Sequence, residues 1–318
     1  MSAVAVSLLA GPLAVEAQQA GRVYRLGILA STLFPGGVAA RIPTGLLELG
    51  YVEGRNLAVE RRHAEGKLDR LPGLARELVQ VRVDVIVAVA TAAVRAARDA
   101  TTTIPIVMFD NLDPVAAGFV ASLARPGGNL TGILIAPDGT LAAKKLELLK
   151  EAVPRAARIA FLVPDDPTSR PQVQEVQKAA ASLGVELLVV EVRGGDYERA
   201  FAPMVAERAK ALFVGASTFF FRDRKRIIQL ASKHRLPAIY EWPDQVEDGG
   251  LMAYGTSRSE LIRRTATYID RIFKDANPGD LPIEQPTKLE LVINLKTAKA
   301  LGLTLPSALV SRADRVIE

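Results

Sequence analysis

Residues 83–89 read Val-Asp-Val-Ile-Val-Ala-Val, a short run of branched aliphatic residues interrupted by a single acid. A run of this length and composition predicts a β-strand that is buried on both faces. Similar runs surround it in the first half of the chain, at residues 24–30, 57–60, 104–109 and 130–135. Before it, apolar residues recur at the spacing of one helix face: Leu71, Leu74, Ala75, Leu78 and Val79. Alternating strands and helices predict a mostly parallel sheet with helices on both faces.

The second half of the chain repeats this alternation. Its strands are predicted at residues 158–163, 185–192, 211–215, 236–240 and 250–254. A length of 318 residues also favours two domains, since one domain usually takes about 100–200 residues. We therefore expect an α/β protein with two doubly wound parallel-sheet lobes of five strands each.

The domain boundaries follow from the same pattern. We expect an N-terminal lobe at residues 22–135 and a C-terminal lobe at residues 136–257. Residues 258–318 fit neither unit, because a helical stretch, a proline-rich stretch and a final helix at 295–301 follow one another. We expect this tail to provide crossover segments that are shared between the lobes.

The composition excludes several protein classes. Hydrophobic residues make up 49% of the chain and charged residues 24%, which is typical of a globular protein rather than a disordered one. The absence of cysteine excludes disulfides, thiolate nucleophiles, Cys-ligated metals and a lipid attached through cysteine. The net charge of +5 is spread along the chain, and the densest basic cluster, at residues 222–226, contains an acid. We interpret that cluster as a solvated helix face and expect no nucleic-acid partner.

The first residues differ from the rest. Residues 3–15 are almost entirely apolar, and Val15-Glu16-Ala17 fits a small-x-Ala cleavage site, although no Lys or Arg precedes Arg22. The segment is too short to span a bilayer and is typical of a secretory signal. We expect residues 1–17 to be a signal peptide, which is truncated if Met1 is an internal start. We expect the product to be a soluble periplasmic protein without a lipid anchor. The alternative is a plain apolar tail.

Motifs for nucleotide binding and hydrolysis are missing. The sequence contains no G-x-G-x-x-G, no G-x-x-x-x-G-K-[ST] and no G-x-S-x-G. Its two histidines, His63 and His234, do not form a metal-binding or catalytic cluster. We therefore predict no cofactor, no metal site and no catalytic residue.

Small polar residues instead follow several predicted strands. In open α/β sheets, ligands bind outside the carboxyl ends of strands, where helix N-termini offer unpaired N–H groups. The ligand-binding residues predicted on this ground are Ser31, Thr32, Ala90, Thr91, Ala92, Asp110, Asp166, Ser169, Ser217, Thr218 and Tyr240. Asp165, Thr168 and Tyr254 occupy comparable positions. Asp113 precedes Pro114, a pattern that favours helix capping over ligand binding, and Asp166 precedes Pro167 in the same way.

Several longer stretches resemble one protein family. They include residues 48–56, 64–72, 122–132 and 236–240, and above all Gln-Pro-Thr-Lys-Leu-Glu-Leu-Val-Ile-Asn-Leu-Lys-Thr-Ala-Lys-Ala-Leu-Gly-Leu at 285–303. The chain resembles the ABC-transporter substrate-binding proteins that include TrpX-like tryptophan-binding proteins, from about Tyr24 to Glu318. The sequence lacks the lipid-bearing cysteine of Gram-positive relatives and has a single tryptophan, Trp242, so the pocket need not be aromatic-lined.

The resemblance implies a type I periplasmic binding protein that closes two lobes on a small solute such as an amino acid. It further implies an ABC permease in the inner membrane as partner, and we expect a monomer with no enzymatic activity. Two alternatives stay open at this point. One is an α/β enzyme that uses Asp110 or Asp166 as a general base, and the other is a ligand-sensing domain.

Overall fold

The computed structural model describes residues 22–33, 36–110, 113–135, 140–285 and 289–318. The predicted signal peptide lies outside the described residues. Chain order in the first half is β1 (Tyr24–Ala30), α1 (Val38–Leu47), β2 (Leu57–His63), α2 (Leu71–Gln80), β3 (Val85–Val89), α3 (Thr91–Ala100), β4 (Ile106–Asp110) and β5 (Leu130–Leu134). These strands form a parallel sheet in the order β2-β1-β3-β4-β5.

The buried strand β3 shows why this sheet forms. Val85, Val87 and Val89 pack into the core cluster on one face, and Ile86 and Ala88 pack into the cluster on the other. All five side chains are buried, so the continuous aliphatic run fits a strand covered by helices on both sides.

The second half forms a second sheet. Its elements are α4 (Thr140–Ala152), β6 (Arg158–Pro164), α5 (Arg170–Ser182), β7 (Glu186–Val192), α6 (Tyr197–Ala206), β8 (Ala211–Val214), α7 (Thr218–Arg222), α8 (Arg224–Lys233), β9 (Ala238–Tyr240), α9 (Pro243–Glu247) and β10 (Met252–Thr256). The tail adds α10 (Arg258–Phe273), β11 (Leu289–Asn294), α11 (Leu295–Leu301), α12 (Ser307–Ser311) and β12 (Arg315–Ile317). The sheet order is β12-β11-β10-β9-β8-β6-β7. The predicted α/β class with two mostly parallel sheets is confirmed.

The prediction of five strands in the second sheet is wrong. β11 pairs antiparallel with β10, and β12 then pairs parallel with β11, which gives seven strands. Residues 289–294 run directly into helix α11, so their apolar positions read as part of one tail segment in the sequence. Asn294 separates the two elements, because its side chain accepts a hydrogen bond from the backbone N–H of Thr297 and caps α11.

Each sheet forms the centre of a lobe. The first lobe contains β1–β5, α1–α3 and also α10, whose Leu261, Tyr268 and Ile269 lie in the same core cluster as the residues of β1 and β3. The second lobe contains β6–β12 with the remaining helices, and its core clusters include Ala298 of α11 and Leu309 of α12. The tail thus contributes a helix to one lobe and strands to the other.

The described residues next to the three connections between the lobes lie side by side: Ile135 after β5, Thr256 at the end of β10, and Glu284 before β11. The N–H of Leu134 donates to the carbonyl of Glu284 at 2.8 Å, and the Thr256 hydroxyl donates to the carbonyl of Ile135 at 3.1 Å. Side-by-side crossings of this kind provide the short connections that a hinge needs.

Strand order also determines where the two lobes can hold a ligand. In the first sheet β2 and β3 lie on opposite sides of β1, and in the second β7 and β8 lie on opposite sides of β6. These are topological switch points, at which the loops after neighbouring strands diverge and leave a crevice at the carboxyl ends.

Candidate ligand-binding cleft

A cavity of about 760 Å³ lies between the two lobes. The first lobe contributes the loops after β1, β3 and β4, and the second contributes the segments after β6, β8 and β9. The volume is within the range of about 300–1,000 Å³ that small-molecule sites occupy. Ten of the eleven predicted ligand-binding residues lie in its wall: Ser31, Thr32, Ala90, Thr91, Ala92, Asp110, Asp166, Ser169, Ser217 and Thr218.

The N-terminus of α3 is the most constrained part of the first-lobe wall. Ala90 has φ +73° and ψ 155°, a conformation that residues other than glycine rarely adopt. Its N–H donates to the carbonyl of Phe109, and its own carbonyl accepts from the first turn of the helix. In the described part of the chain, no protein acceptor pairs with the N–H groups of Thr91 and Ala92. The helix therefore presents unpaired donors and the positive end of its dipole at the cavity wall.

Asp110 lies next to these donors at the end of β4. Its side chain is buried, and the Thr91 hydroxyl donates to its Oδ1 at 3.0 Å. A buried carboxylate beside free N–H groups provides an acceptor and donors within one small region. This pairing suits a ligand that carries both an ammonium and a carboxylate.

Ser31 and Thr32 complete the first-lobe wall. The Ser31 hydroxyl lies 3.3 Å from the Thr218 hydroxyl, a hydrogen bond that joins the two lobes across the cavity. Thr32 Oγ1 is buried without a hydrogen-bond partner among the described residues. These hydroxyls are additional donors beside the α3 N-terminus.

The second-lobe wall is held by its own hydrogen bonds. The side-chain amide of Gln172 donates to the carbonyl of Ala216 and accepts from its N–H, at 3.2 and 2.7 Å. Ser217 caps α7 by accepting from the N–H of Phe219, and the Ser169 hydroxyl donates to the carbonyls of Pro164 and Asp166. These contacts position the loops after β6 and β8.

Five large aromatic side chains also line the cavity: Phe109, Phe213, Phe219, Phe221 and Trp242. Four of them come from the second lobe. The single tryptophan thus lies in the wall, and the phenylalanines make the cavity aromatic even though aromatic residues are only 5% of the chain. The sequence consideration that the pocket need not be aromatic-lined was misleading, because it counted tryptophan alone.

Arg258, the first residue of α10, connects the lobes at the edge of the cavity. Its guanidinium forms an ion pair with Asp244 of α9 and donates to the carbonyl of Gly36, and it lies 4.3 Å from the centre of the Phe221 ring. Its side chain is only 5% exposed. Burial lowers the pKa of Arg258 from its usual range, and Asp244 opposes this shift.

Comparison with known proteins now identifies the family. The sequence model described as "ABC transporter substrate binding protein" matches residues 38–317. The chain belongs to this family. Because the family consists of substrate-binding proteins, the predicted family and the prediction of a binding protein rather than an enzyme are both confirmed.

Three relatives of this substrate-binding protein are informative. A protein named tyrosine-binding protein, from Clostridioides difficile strain R20291, is 27% identical over 265 residues, which are 83% of this chain and 76% of the relative. A crystal structure of a conserved domain protein from Vibrio cholerae has a TM-score of 0.83 at 26% identity, covering 93% of this chain and all of the other. An ABC domain in complex with L-Trp, from Streptococcus pneumonia, has a TM-score of 0.80 at 25% identity, with the same coverage.

Two kinds of feature were sought in the described residues. Among the described residues, no helix is both long and apolar enough to cross a membrane. Within the same residues, no group of three or more histidines, cysteines or carboxylates could hold a metal ion.

Sequence reasoning missed several charged residues in the cavity wall of this substrate-binding protein: Arg95, Lys145, Glu175, Glu241 and Arg258. Most lie on helices rather than at strand ends, where the search was made. Lys145 did leave a signal, because it falls on the apolar face of α4 that Leu141, Leu148 and Leu149 define. A lysine on a buried helix face is unusual, because a buried charge normally needs a partner.

Tyr240 is the predicted site residue that the structure places elsewhere. It is the last residue of β9 and lies in the core of the second lobe with Tyr197 and Phe201, at 1% exposure. The next residues, Glu241 and Trp242, reach the cavity instead. Successive strand residues point to opposite faces, so a shift of one position exchanges core for cavity.

The remaining polar residues after strands have structural contacts. Asp113 lies in the cavity wall, but its Oδ1 accepts from the N–H groups of Val115 and Ala116 at 2.9 and 3.1 Å, which is the predicted capping contact. Asp165 pairs with Arg193 at 2.9 Å, and Tyr254 packs against the second-lobe core. The Thr168 side chain is outside the described part of the structure.

The position of Tyr240 makes a simple prediction. Tyr240→Phe removes a hydroxyl from the core and none from the cavity, so the ligand Kd stays within about twofold of the wild type. Isothermal titration with any ligand of the protein measures this. A tenfold larger Kd in a variant with unchanged melting temperature would show that Tyr240 contacts the ligand.

Proposed function

We propose that this substrate-binding protein takes up a free amino acid with a large apolar or aromatic side chain between its two lobes. The observation that supports this most strongly is the pairing at the first-lobe wall of the unpaired Thr91 and Ala92 N–H groups with the buried carboxylate of Asp110. An α-amino acid carries a carboxylate and an ammonium on one carbon atom. Such a pair of adjacent complementary groups matches that head group.

The rest of the cavity supports the choice of side chain. Phe213, Phe219, Phe221 and Trp242 belong to the second lobe and line the same cavity as the α3 N-terminus. Aromatic rings bind an apolar or aromatic group through buried area and ring contacts. The names of two relatives, a tyrosine-binding protein and a domain in complex with L-Trp, point in the same direction.

Closure of the lobes provides the mechanism. A ligand held on the first lobe gains contacts with the aromatic side chains of the second lobe only when the lobes approach, so binding shifts the hinge equilibrium towards the closed form. The three adjacent crossing segments act as the hinge in this proposal, with residues 22–135 and 136–257 as the bodies that move and residues 258–318 shared between them. Only binding is involved, and no covalent bond changes.

The family membership suggests how the bound form is used. We propose that the protein is a periplasmic monomer, exported by its N-terminal segment, and that its closed form docks on an ABC permease in the inner membrane. The permease then receives the amino acid when the lobes reopen.

A thermal-shift screen of the purified chain against the twenty L-amino acids, purines, sugars and small carboxylates tests the proposal. A ligand at a hundred times its Kd stabilises the folded form by about 2.7 kcal/mol, which raises the melting temperature by several degrees. We expect such shifts with L-tyrosine, L-phenylalanine or L-tryptophan and recovery of the amino acid unchanged. Shifts with sugars or purines alone, or consumption of the ligand, would contradict the proposal.

A further inference from the structure

Phe219 of α7 touches the first lobe at Gly66. Gly66 lies in the loop after β2, and a Cβ added to it would be 3.4 Å from Cε1 of the Phe219 ring and 3.9 Å from its Cζ. Gly66 has φ +84°, a conformation that favours glycine. The loop therefore presents bare backbone at this position, and the aromatic ring lies directly against it.

A second contact between the lobes lies beside this one. The N–H of Gly66 donates to the carbonyl of Ser31 at 2.9 Å, and the Ser31 hydroxyl lies 3.3 Å from the hydroxyl of Thr218. Thr218 and Phe219 are successive residues at the start of α7. Two adjacent residues of the second lobe thus meet two hydrogen-bonded residues of the first lobe.

The residue after Phe219 fixes α7 to the second lobe. Phe220 is buried in a second-lobe core cluster, where its ring centre lies 6.1 Å from that of Tyr197. The Tyr197 hydroxyl also donates to Asp223, just after α7, at 2.7 Å. α7 therefore moves with the second lobe, so its contact with Gly66 breaks when the lobes separate.

This contact lies far from the connections between the lobes. β2 precedes Gly66 and is one edge of the first sheet, whereas β5, after which the chain leaves the first lobe, is the other edge. Four strand spacings, or about 19 Å, separate these two edges. A rotation about the connections displaces distant points most, so the cleft opens widest on the side of Gly66.

Phe219 also reaches from the cavity to the protein surface. It is half-buried and lies in the cavity wall, as does Leu68 just beyond Gly66. The Arg222 guanidinium lies 5.6 Å from the centre of the Phe219 ring, and the Arg222 side chain is 41% exposed. The contact between Phe219 and Gly66 is therefore at the mouth of the cleft, and a ligand in the cavity lies behind it.

We propose that Phe219 and Gly66 form a gate at the mouth of the cleft, and that breaking their contact sets the rate at which the ligand leaves. This inference rests on the proposed closure of the lobes over a ligand, but not on the chemistry of that ligand. Because Phe219 acts on the protein, its loss increases koff by the same factor for every ligand. A residue that acted on the ligand would instead discriminate between ligands.

Stopped-flow kinetics of Phe219→Ala with L-phenylalanine and L-leucine test the gate. Trp242 is the single tryptophan and lies in the cavity wall, so its fluorescence reports the binding of both amino acids. We expect koff to rise about tenfold for both, because aromatic area is lost from the closed form alone. The ligand enters the open form, so kon should stay within about twofold of the wild type.

Gly66→Asn and Gly54→Asn are a matched pair of variants. Gly54 has φ +85°, but among the described residues no atom beyond its chain neighbours lies within 4 Å of a Cβ added there. Asparagine tolerates a positive φ, so both variants add the same side chain to similar backbone. Gly66→Asn should increase koff by displacing the Phe219 ring, and should add nothing in the Phe219→Ala background. Gly54→Asn should leave koff at the wild-type value.

A pair of spin labels tests the gate without a ligand. The chain has no cysteine, so Arg76→Cys in α2 and Lys178→Cys in α5, both at exposed positions, place one label on each lobe. Distances between the labels, measured by electron double resonance, give the populations of the closed and open forms. We expect Phe219→Ala to lower the ratio of closed to open form by about tenfold.

The outcomes separate the gate from the function on which it rests. An unchanged koff in Phe219→Ala, or a rise that differs more than about threefold between the two amino acids, overturns the gate and leaves the amino-acid function standing. An equal rise in Gly66→Asn and Gly54→Asn also overturns it, because the contact with Phe219 would then be irrelevant. If the wild type binds neither amino acid, the proposed function fails and the label distances decide. Equal closed populations in the wild type and Phe219→Ala then overturn the gate, and a smaller one in Phe219→Ala supports it.

Discussion

Asp110→Ala weakens the binding of the amino acid by about ten- to a hundredfold, because a hydrogen bond to a charged group contributes ~1.5–3 kcal/mol. The wild-type carboxylate is buried at the end of β4, beside the N-terminus of α3. In the proposed complex it accepts from the ligand ammonium, and its contact with the Thr91 hydroxyl holds it in position. Removing it leaves the ammonium without a charged acceptor. Isothermal titration with the strongest ligand of the thermal-shift screen measures the loss.

Asp113→Ala is the matched control for this substitution. It removes an aspartate only three positions further along the chain, also in the cavity wall, but one whose oxygen caps the turn at Val115 and Ala116. Loss of such a cap costs about 1 kcal/mol of folding stability. Affinity for the ligand should change little. If Asp113→Ala abolishes binding and Asp110→Ala does not, the two aspartates have been assigned the wrong roles.

The first-lobe site could be predicted from the sequence because its residues follow long, fully apolar strands. The runs that end before Ser31 and Thr91 define the strand ends to within one residue. At the carboxyl end of a parallel strand the next residues must reach the crevice, whatever the rest of the fold does. The apolar pattern of a strand is then sufficient to predict that the side chains following it lie at the crevice.

The second-lobe site was predicted less well for two physical reasons. β9 has only three residues, so the position of its end could not be fixed, and Tyr240 was chosen where Glu241 and Trp242 reach the cavity. Lys145 and Arg258 belong to helices that approach the cavity only through tertiary packing. The position of Lys145 on the apolar face of α4 marks it as buried, but the helical spacing does not show that it reaches the cavity.

The extra strands of the second sheet illustrate the same limit. β11 forms a strand by pairing antiparallel with the edge of β10, which lies more than thirty residues earlier in the chain. Its neighbour α11 was predicted at its observed bounds, Leu295–Leu301, because helical spacing is a local property. Pairing between distant segments is not a local property, so the sequence pattern of one segment does not predict it.

Arg258→Ala should lower the free energy of unfolding by about 3 kcal/mol, because removing one partner of a buried ion pair leaves the other charge uncompensated. Arg258 joins α10, which packs on the first lobe, to Asp244 and Phe221 of the second. It therefore stabilises the approach of the lobes as well as the fold. We expect the variant to unfold at lower urea concentration and to bind its ligand more weakly, since the closed form loses a contact between the lobes.

Arg226→Ala provides the comparison for a surface pair. Arg226 also forms an ion pair, with Glu198, but the two side chains are 51% and 56% exposed, and such pairs contribute at most about 1 kcal/mol. A double-mutant cycle of Arg258→Ala with Asp244→Ala isolates the coupling energy across the lobes, which should exceed about 1 kcal/mol. The same kind of cycle on the exposed pair of Arg226 and Glu198 should give a smaller coupling energy. If Arg258→Ala and Arg226→Ala shift the urea midpoint equally, the contact between α10 and α9 does not hold the lobes together. In that case the hydrogen bond between Ser31 and Thr218 and the packing of Phe221 and Trp242 must account for closure.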